Sequence, residues 1–270
     1  MAVARVAGHS LTELISLKGR NAVVTGAAWG LGKAAARRLA EAGASVLIGD
    51  IDAQSAVKTA AEIAESTGSR VISAYSDAGD SVSVLGLVDT AVRELGGIDI
   101  WVNNAGLPSS VPLFDLTEEE FDKVVAITLK GTFVGARAAA KYMAEVGKAG
   151  VIINVASLAG LMGIAPGQAA YVAAKHGVVG LTKQMAIELG KHDIRVLGIA
   201  PGVCLTEKTA FLGDMPPEQL KAIGIPGIDT SHLGRVGEAD DVARVILFAA
   251  SDLSMFMTGS TLPVDGGTAA

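Results

Sequence analysis

Short runs of valine and isoleucine alternate with longer alanine-rich stretches along almost the whole chain, and this alternation most constrains the fold. Strands covered on both faces read as nearly continuous apolar runs, and parallel strands need a crossover helix between them, so the pattern is that of βαβ units around a parallel sheet. It predicts strands near 21–25, 45–50, 71–75, 98–103, 150–156, 194–200 and 260–264. The helices between them are expected at 30–43, 53–67, 81–96, 117–145, 170–190 and 238–250. Thr117 and Glu120 have the spacing of a capping box and mark the start of the fourth crossover helix.

With 270 residues, 50% hydrophobic and 19% charged, the chain can bury a large core as one α/β domain. No Pro/Gly/Ser-rich linker divides it. The least regular part is 204–236, with Gly213, Pro216, Pro217, Gly224, Pro226 and Gly227, expected to be a substrate-covering loop with a short helix. Residues 1–16 read as an N-terminal extension to a domain over 17–270. Arg5, His9, Glu13 and Lys18 leave no continuous apolar run in the first twenty residues, which argues against a signal peptide. Residues 149–174 carry no charge, but Asn154, Pro166, Gly167 and Gln168 divide them into strand, loop and helix start, so no membrane span is expected. A net charge of −6 argues against a nucleic-acid partner. The single cysteine, Cys204, allows no internal disulfide and reads as a structural thiol, consistent with a reducing, cytoplasmic setting.

The first strand runs into Thr25-Gly26-Ala27-Ala28-Trp29-Gly30-Leu31-Gly32 and then an alanine-rich helix. Small residues at a helix N-terminus let the backbone approach a pyrophosphate, whose charge suits the free amides and the helix dipole. The second strand ends at Asp50, whose carboxylate could accept from an adenosine ribose and repel a 2′-phosphate. Asp50 could instead cap the next helix, although Asp52 is better placed for that. Trp29 stands where a basic residue could hold a phosphate, and Lys33 is the one nearby cation, so NAD is expected over NADP.

Tyr171 and Lys175 in Tyr-Val-Ala-Ala-Lys, with Ser157 fourteen residues upstream, suggest proton transfer for alcohol and ketone chemistry. An i, i+4 pair shares a helix face, so the ammonium can favour ionisation of the phenol. Taken alone the spacing is a weak signal, and its weight comes from the cofactor-type loop that accompanies it.

From about Leu17 to Gly267 the chain resembles the short-chain dehydrogenase/reductase family, with a Rossmann-type, doubly wound, three-layer αβα domain. Gly26, Gly30 and Gly32 match its cofactor loop, Asn103-Asn104-Ala105-Gly106 its element after the fourth strand, and Ser157, Tyr171 and Lys175 its catalytic residues. Pro201-Gly202 with Thr206, and Pro263-Val264-Asp265-Gly266-Gly267, continue the agreement. The resemblance implies Tyr171 as general acid/base, Lys175 lowering its pKa and binding the nicotinamide ribose, and Ser157 holding the substrate oxygen. It further implies cofactor contacts from Trp29, Leu31, Asp50, Ile51, Asp77, Ala78, Asn104, Ala105, Gly106, Pro201, Gly202, Val203 and Thr206. Thr128 stands where the family usually has an asparagine tied to a helix irregularity and a proton relay, and Leu197 also replaces a common asparagine.

The segment 170–190 is apolar or small around most of its circumference, which with the resemblance implies a homo-oligomer, a tetramer. The expected function is NAD-dependent interconversion of a secondary alcohol and a ketone, without a metal. An NADPH-dependent carbonyl reductase and a cofactor-binding regulatory protein with little catalysis are the alternatives. Uncharged stretches at Leu107-Pro108-Ser109-Ser110 and from Leu158 to Gln168, with the largely uncharged 204–236, suggest a neutral or apolar substrate.

Overall fold

A computed structural model describes residues 3–270 except 208, 213, 214, 216, 217 and 220–230. Seven parallel strands form one sheet in the order β3-β2-β1-β4-β5-β6-β9. They are β1 (Asn21–Thr25), β2 (Ser45–Asp50), β3 (Val71–Tyr75), β4 (Ile100–Asn103), β5 (Gly150–Val155), β6 (Ile194–Pro201) and β9 (Thr261–Val264). β7 (Cys204–Leu205) and β8 (Gly237–Glu238) pair separately as a two-residue parallel ladder.

Adjacent residues of each strand face opposite layers. Val24, Val46 and Ile48 pack on one side against Leu39 of α2 (Gly30–Glu41), Ile63 of α3 (Ala53–Thr67) and Ile246 of α8 (Ala239–Ala250). Val23 and Leu47 pack on the other side against Leu87 of α4 (Ser81–Leu95), Ala139 of α6 (Gly131–Glu145) and Met185 of α7 (Ala169–Leu189). This covering of both faces is why the strand sequences are apolar throughout. The result is the expected Rossmann-type three-layer αβα architecture in one domain. Strand order reverses between β1 and β4, which opens a crevice at their C-terminal ends.

Two elements depart from expectation. The continuous helix expected over 117–145 is α5 (Glu118–Val125), a π turn at Ala126–Lys130, and α6. The interruption falls at the position of Thr128, which the resemblance associates with a helix irregularity, while the outer bounds of the expected helix hold. The capping box at α5 is present, with Thr117 Oγ1 accepting from Glu120 N–H at 3.2 Å. A short helix, α1 (Leu11–Ile15), precedes the sheet and is held by a second capping box between Ser10 and Glu13. Residues 149–174 divide into β5, a loop with a 3₁₀ turn, and the start of α7, and among the described residues no helix is long and apolar enough to cross a membrane. The short helix expected within 204–236, with Gly213, Pro216, Pro217, Gly224, Pro226 and Gly227, falls on or beside residues outside those described.

Candidate active site

A cavity of about 430 Å³ lies at the β1/β4 switch point. Its lining includes Gly26, Trp29 and Gly30 from the turn after β1, Asp50 and Ile51 from the end of β2, and Asp77 and Ala78 after β3. Asn104, Ala105 and Gly106 after β4, and Thr206 beyond β6, complete the set of sequence-predicted residues around it.

Close backbone packing makes this cradle. Gly26 has φ +62°, and a Cβ there would lie 2.8 Å from Ala105 Cα. Gly32 sits beneath the turn, where a Cβ would overlap the Gly26 carbonyl oxygen and approach Asn104 Nδ2 and Ala27 Cα. Leu31 packs against the core rather than the cavity. Asn104 does more than line the adenosine side, because its Nδ2 donates to the carbonyls of Thr25 and Gly26 at 3.0 and 2.7 Å. Thr25 Oγ1 in turn accepts from the Asn104 and Ala105 amides at 3.0 and 3.1 Å. These bonds tie the β1 turn to the β4 turn, and sequence reasoning missed the role of Thr25.

Asp50 serves as a brace as well as a lining residue. Its Oδ2 accepts from the Ala28 N–H at 2.9 Å and its Oδ1 from the Asp52 N–H at 3.0 Å. The helix cap of α3 falls to Asp52, which accepts from Ser55 N–H. Asp77 Oδ1 accepts from Gly79 N–H at 2.8 Å and so shapes the turn after β3. Pro201 ends β6, and Gly202 donates to the Val264 carbonyl at 2.9 Å. The Val203 carbonyl accepts from Gly237 N–H, and Val203 lines a different cavity, near Ser231 and Gly266. Those three residues border the site without lining its main cavity.

The proposed catalytic side chains meet where β5, α7 and the π turn converge. Ser157 begins a 3₁₀ turn, its Oγ accepting from Ala159 N–H at 3.1 Å. Gly160 lets that turn approach α7, since a Cβ there would lie 2.7 Å from the Lys175 carbonyl oxygen. A buried chain of bonds fixes the same join. Trp101 Nε1 donates to Asn103 Oδ1 at 2.7 Å, Asn103 Nδ2 to Asn154 Oδ1 at 2.9 Å, and Asn154 Nδ2 to Thr182 Oγ1 at 3.0 Å. Fully satisfied buried networks of this kind fix one arrangement of the elements they join.

Tyr171 packs against Val124, Ala170 and Ala174. Burial raises its phenol pKa above the ordinary value, and the Ser157 hydroxyl partly offsets this. The Lys175 ammonium lies 5.6 Å from the Tyr171 ring centroid and donates to the Val155 carbonyl at 2.6 Å. This differs from the arrangement expected of the i, i+4 pair. A buried ammonium takes the strongest acceptor within reach, here a main-chain carbonyl rather than the phenol. Thr128 is fully buried in the π turn, and its Oγ1 accepts from Leu107 N–H at 3.0 Å. The helix irregularity is therefore present with threonine at this position. Leu197 is fully buried in the β6 core. Cys204 is half-buried, and burial pushes its thiol up to about 11, so it stays protonated at neutral pH.

Burial also pushes Lys175 down from 10.5 to about 8. Between these values the unfolded chain holds more protons than the folded one, so the stability contributed by this group rises with pH from about 8 to 10.5. Lys175→Met should abolish that part of the pH dependence. Urea titrations of both proteins near pH 8 and pH 10 should show the wild type gaining on the order of 1–3 kcal/mol relative to the variant. Parallel pH dependence in the two proteins would contradict the burial of a charged lysine.

The fold and this arrangement define a dinucleotide-binding oxidoreductase of the Rossmann type. Residues 26–269 match a family model described as enoyl-(acyl carrier protein) reductase. The (2S)-[(R)-hydroxy(phenyl)methyl]succinyl-CoA dehydrogenase subunit BbsD of Thauera aromatica is 40% identical over 253 residues, covering 94% of this chain and 98% of that protein. A short-chain type dehydrogenase/reductase from Mycobacterium marinum superposes with a TM-score of 0.87 at 36% identity, covering 96% and 99% of the two chains. A putative 2-deoxy-d-gluconate 3-dehydrogenase from Agrobacterium tumefaciens, solved with bound NADP, gives a TM-score of 0.84 at 34% identity over 95% and 98%. The chain belongs to the short-chain dehydrogenase/reductase family.

Proposed function

We propose that this protein interconverts a secondary alcohol and a ketone with NAD, using Tyr171 as the general acid/base. The observation that carries this reading is the convergence of Ser157, Tyr171 and Lys175 beside the glycine cradle at the β1/β4 switch point. The cradle fits a dinucleotide: Gly26 and Gly32 leave no room for a Cβ, and the α2 N-terminus opens onto the cavity. Bound there, the nicotinamide would supply or accept the hydride.

The protein's own groups handle the proton and the alignment. Tyr171 Oη gives a proton to a ketone oxygen or takes one from an alcohol, and Ser157 Oγ donates to the same oxygen as charge develops there. Burial keeps the phenol protonated at neutral pH, which suits its role as acid. For the reverse direction a cation must come closer, and Lys175, turning from the Val155 carbonyl, is that cation. Leu107, Pro108, Ser109 and Ser110, with the uncharged stretch 158–168, favour a neutral or apolar substrate.

Charge supports NAD. Asp50 presents a carboxylate at the end of β2, and the cations of α2 point to other partners. Lys33 Nζ pairs with Glu62 Oε2 at 2.8 Å, Arg37 reaches Ser66, and Arg38 makes a two-pronged bond to Asp240 at 2.6 and 2.8 Å. The NADP bound to the Agrobacterium protein keeps NADPH-dependent reduction as the second reading. Asp50→Asn separates the two better than alanine would, because an amide oxygen can still accept one of the two backbone N–H groups. Its NAD-over-NADP ratio of kcat/KM should fall at least about tenfold, as a charge facing a 2′-phosphate is removed. An unchanged ratio, or a wild type that prefers NADP, would overturn the NAD assignment.

A further inference from the structure

Glu207 lines the cavity and places a carboxylate on the N-terminal amide of α2, where a phosphate would sit. Its Oε2 accepts from the Gly30 N–H at 2.9 Å, at the first residue of α2. That helix end has no side-chain cap from Trp29 and no acid in its own first turn. A carboxylate there satisfies an open amide and faces the positive end of the dipole, as a phosphate oxygen does.

The placement of Glu207 is built rather than incidental. Thr209 Oγ1 accepts from Thr206 N–H at 2.8 Å and donates to the Cys204 carbonyl at 2.9 Å, and Cys204–Leu205 pairs with Gly237–Glu238. The Thr206 methyl packs on Gly30, where an added Cβ would lie 3.2 Å from it. Glu207 thus reaches Gly30 from a braced turn, across 177 residues of sequence.

We propose that Glu207 is an internal anion that holds the pyrophosphate subsite and must leave it when a dinucleotide binds. This rests on the cofactor reading given above. The carboxylate and a pyrophosphate compete for the same amide and repel each other, so Glu207 weakens binding of any ligand with a pyrophosphate and spares one without it. Displacement breaks only the Glu207–Gly30 bond, because the turn itself is held by the Thr209 Oγ1 bonds and the pairing of Cys204–Leu205.

The test compares ADP-ribose with adenosine by calorimetry on the wild type and on Glu207→Gln, which keeps the length and an acceptor but removes the charge. The variant should bind ADP-ribose about three- to tenfold more tightly and adenosine with unchanged affinity. Glu207→Ala should show the same direction of change. Equal or weaker binding of ADP-ribose by both variants would overturn the inference, and weaker binding with a lowered Tm would mark Glu207 as a plain helix cap. If the wild type binds neither ADP-ribose nor NADH nor NADPH, the cofactor reading falls and this inference with it.

Discussion

Tyr171→Phe is expected to lower kcat by about two to four orders of magnitude while leaving the Kd for NADH within about twofold. The ring stays and continues to pack against Val124, Ala170 and Ala174, so the fold and the cofactor cradle keep their support. Only the hydroxyl that exchanges a proton with the substrate oxygen is lost. Steady-state rates with a reactive ketone and NADH titrations of both proteins make the comparison. Retention of more than about a tenth of wild-type turnover would show that another group carries the proton.

Gly32→Ala should damage both stability and cofactor binding. A Cβ at this position overlaps the Gly26 carbonyl oxygen and crowds Asn104 Nδ2 and Ala27 Cα, and two of these three are backbone atoms that cannot rotate away. The turn after β1 would have to shift from the turn after β4, breaking the bonds Asn104 makes to Thr25 and Gly26. Overpacking of this kind costs about 1–3 kcal/mol. Affinity for NADH should fall at least about tenfold, because the amides that would meet the pyrophosphate move with the turn. Gly68→Ala is the control, since a Cβ there meets nothing within 4 Å; its left-handed φ makes it a strained but remote substitution. If Gly32→Ala binds NADH as the wild type does, the close packing is not what shapes the cradle.

How far the sequence could be read depended on whether a feature is local. The strands were legible because a sheet covered on both faces demands apolar residues at every position, and the observed bounds fall within two residues of the expected ones. The glycine turn and its acid were legible because β1, the turn and α2 are consecutive, and Asp50 closes the next strand. The π turn was signalled only by the resemblance, at the position of Thr128, and not by the apolar spacing of 117–145. The α1 helix could have been found from Ser10 and Glu13, which have the same spacing as Thr117 and Glu120. Glu207 follows Thr206 directly, yet nothing local to it says that it reaches Gly30. The direction of the Lys175 ammonium was also hidden, since it depends on which acceptor burial leaves within reach.

The central claim is tyrosine-dependent hydride exchange with NAD, and one assay addresses it directly. Wild type and Tyr171→Phe are followed side by side by the absorbance of reduced nicotinamide, with NAD and NADP, across a panel of neutral secondary alcohols and ketones. The account predicts turnover that is faster with NAD and nearly lost in the variant. Equal turnover by the two proteins, or no turnover with either cofactor while NADH still binds, would contradict it.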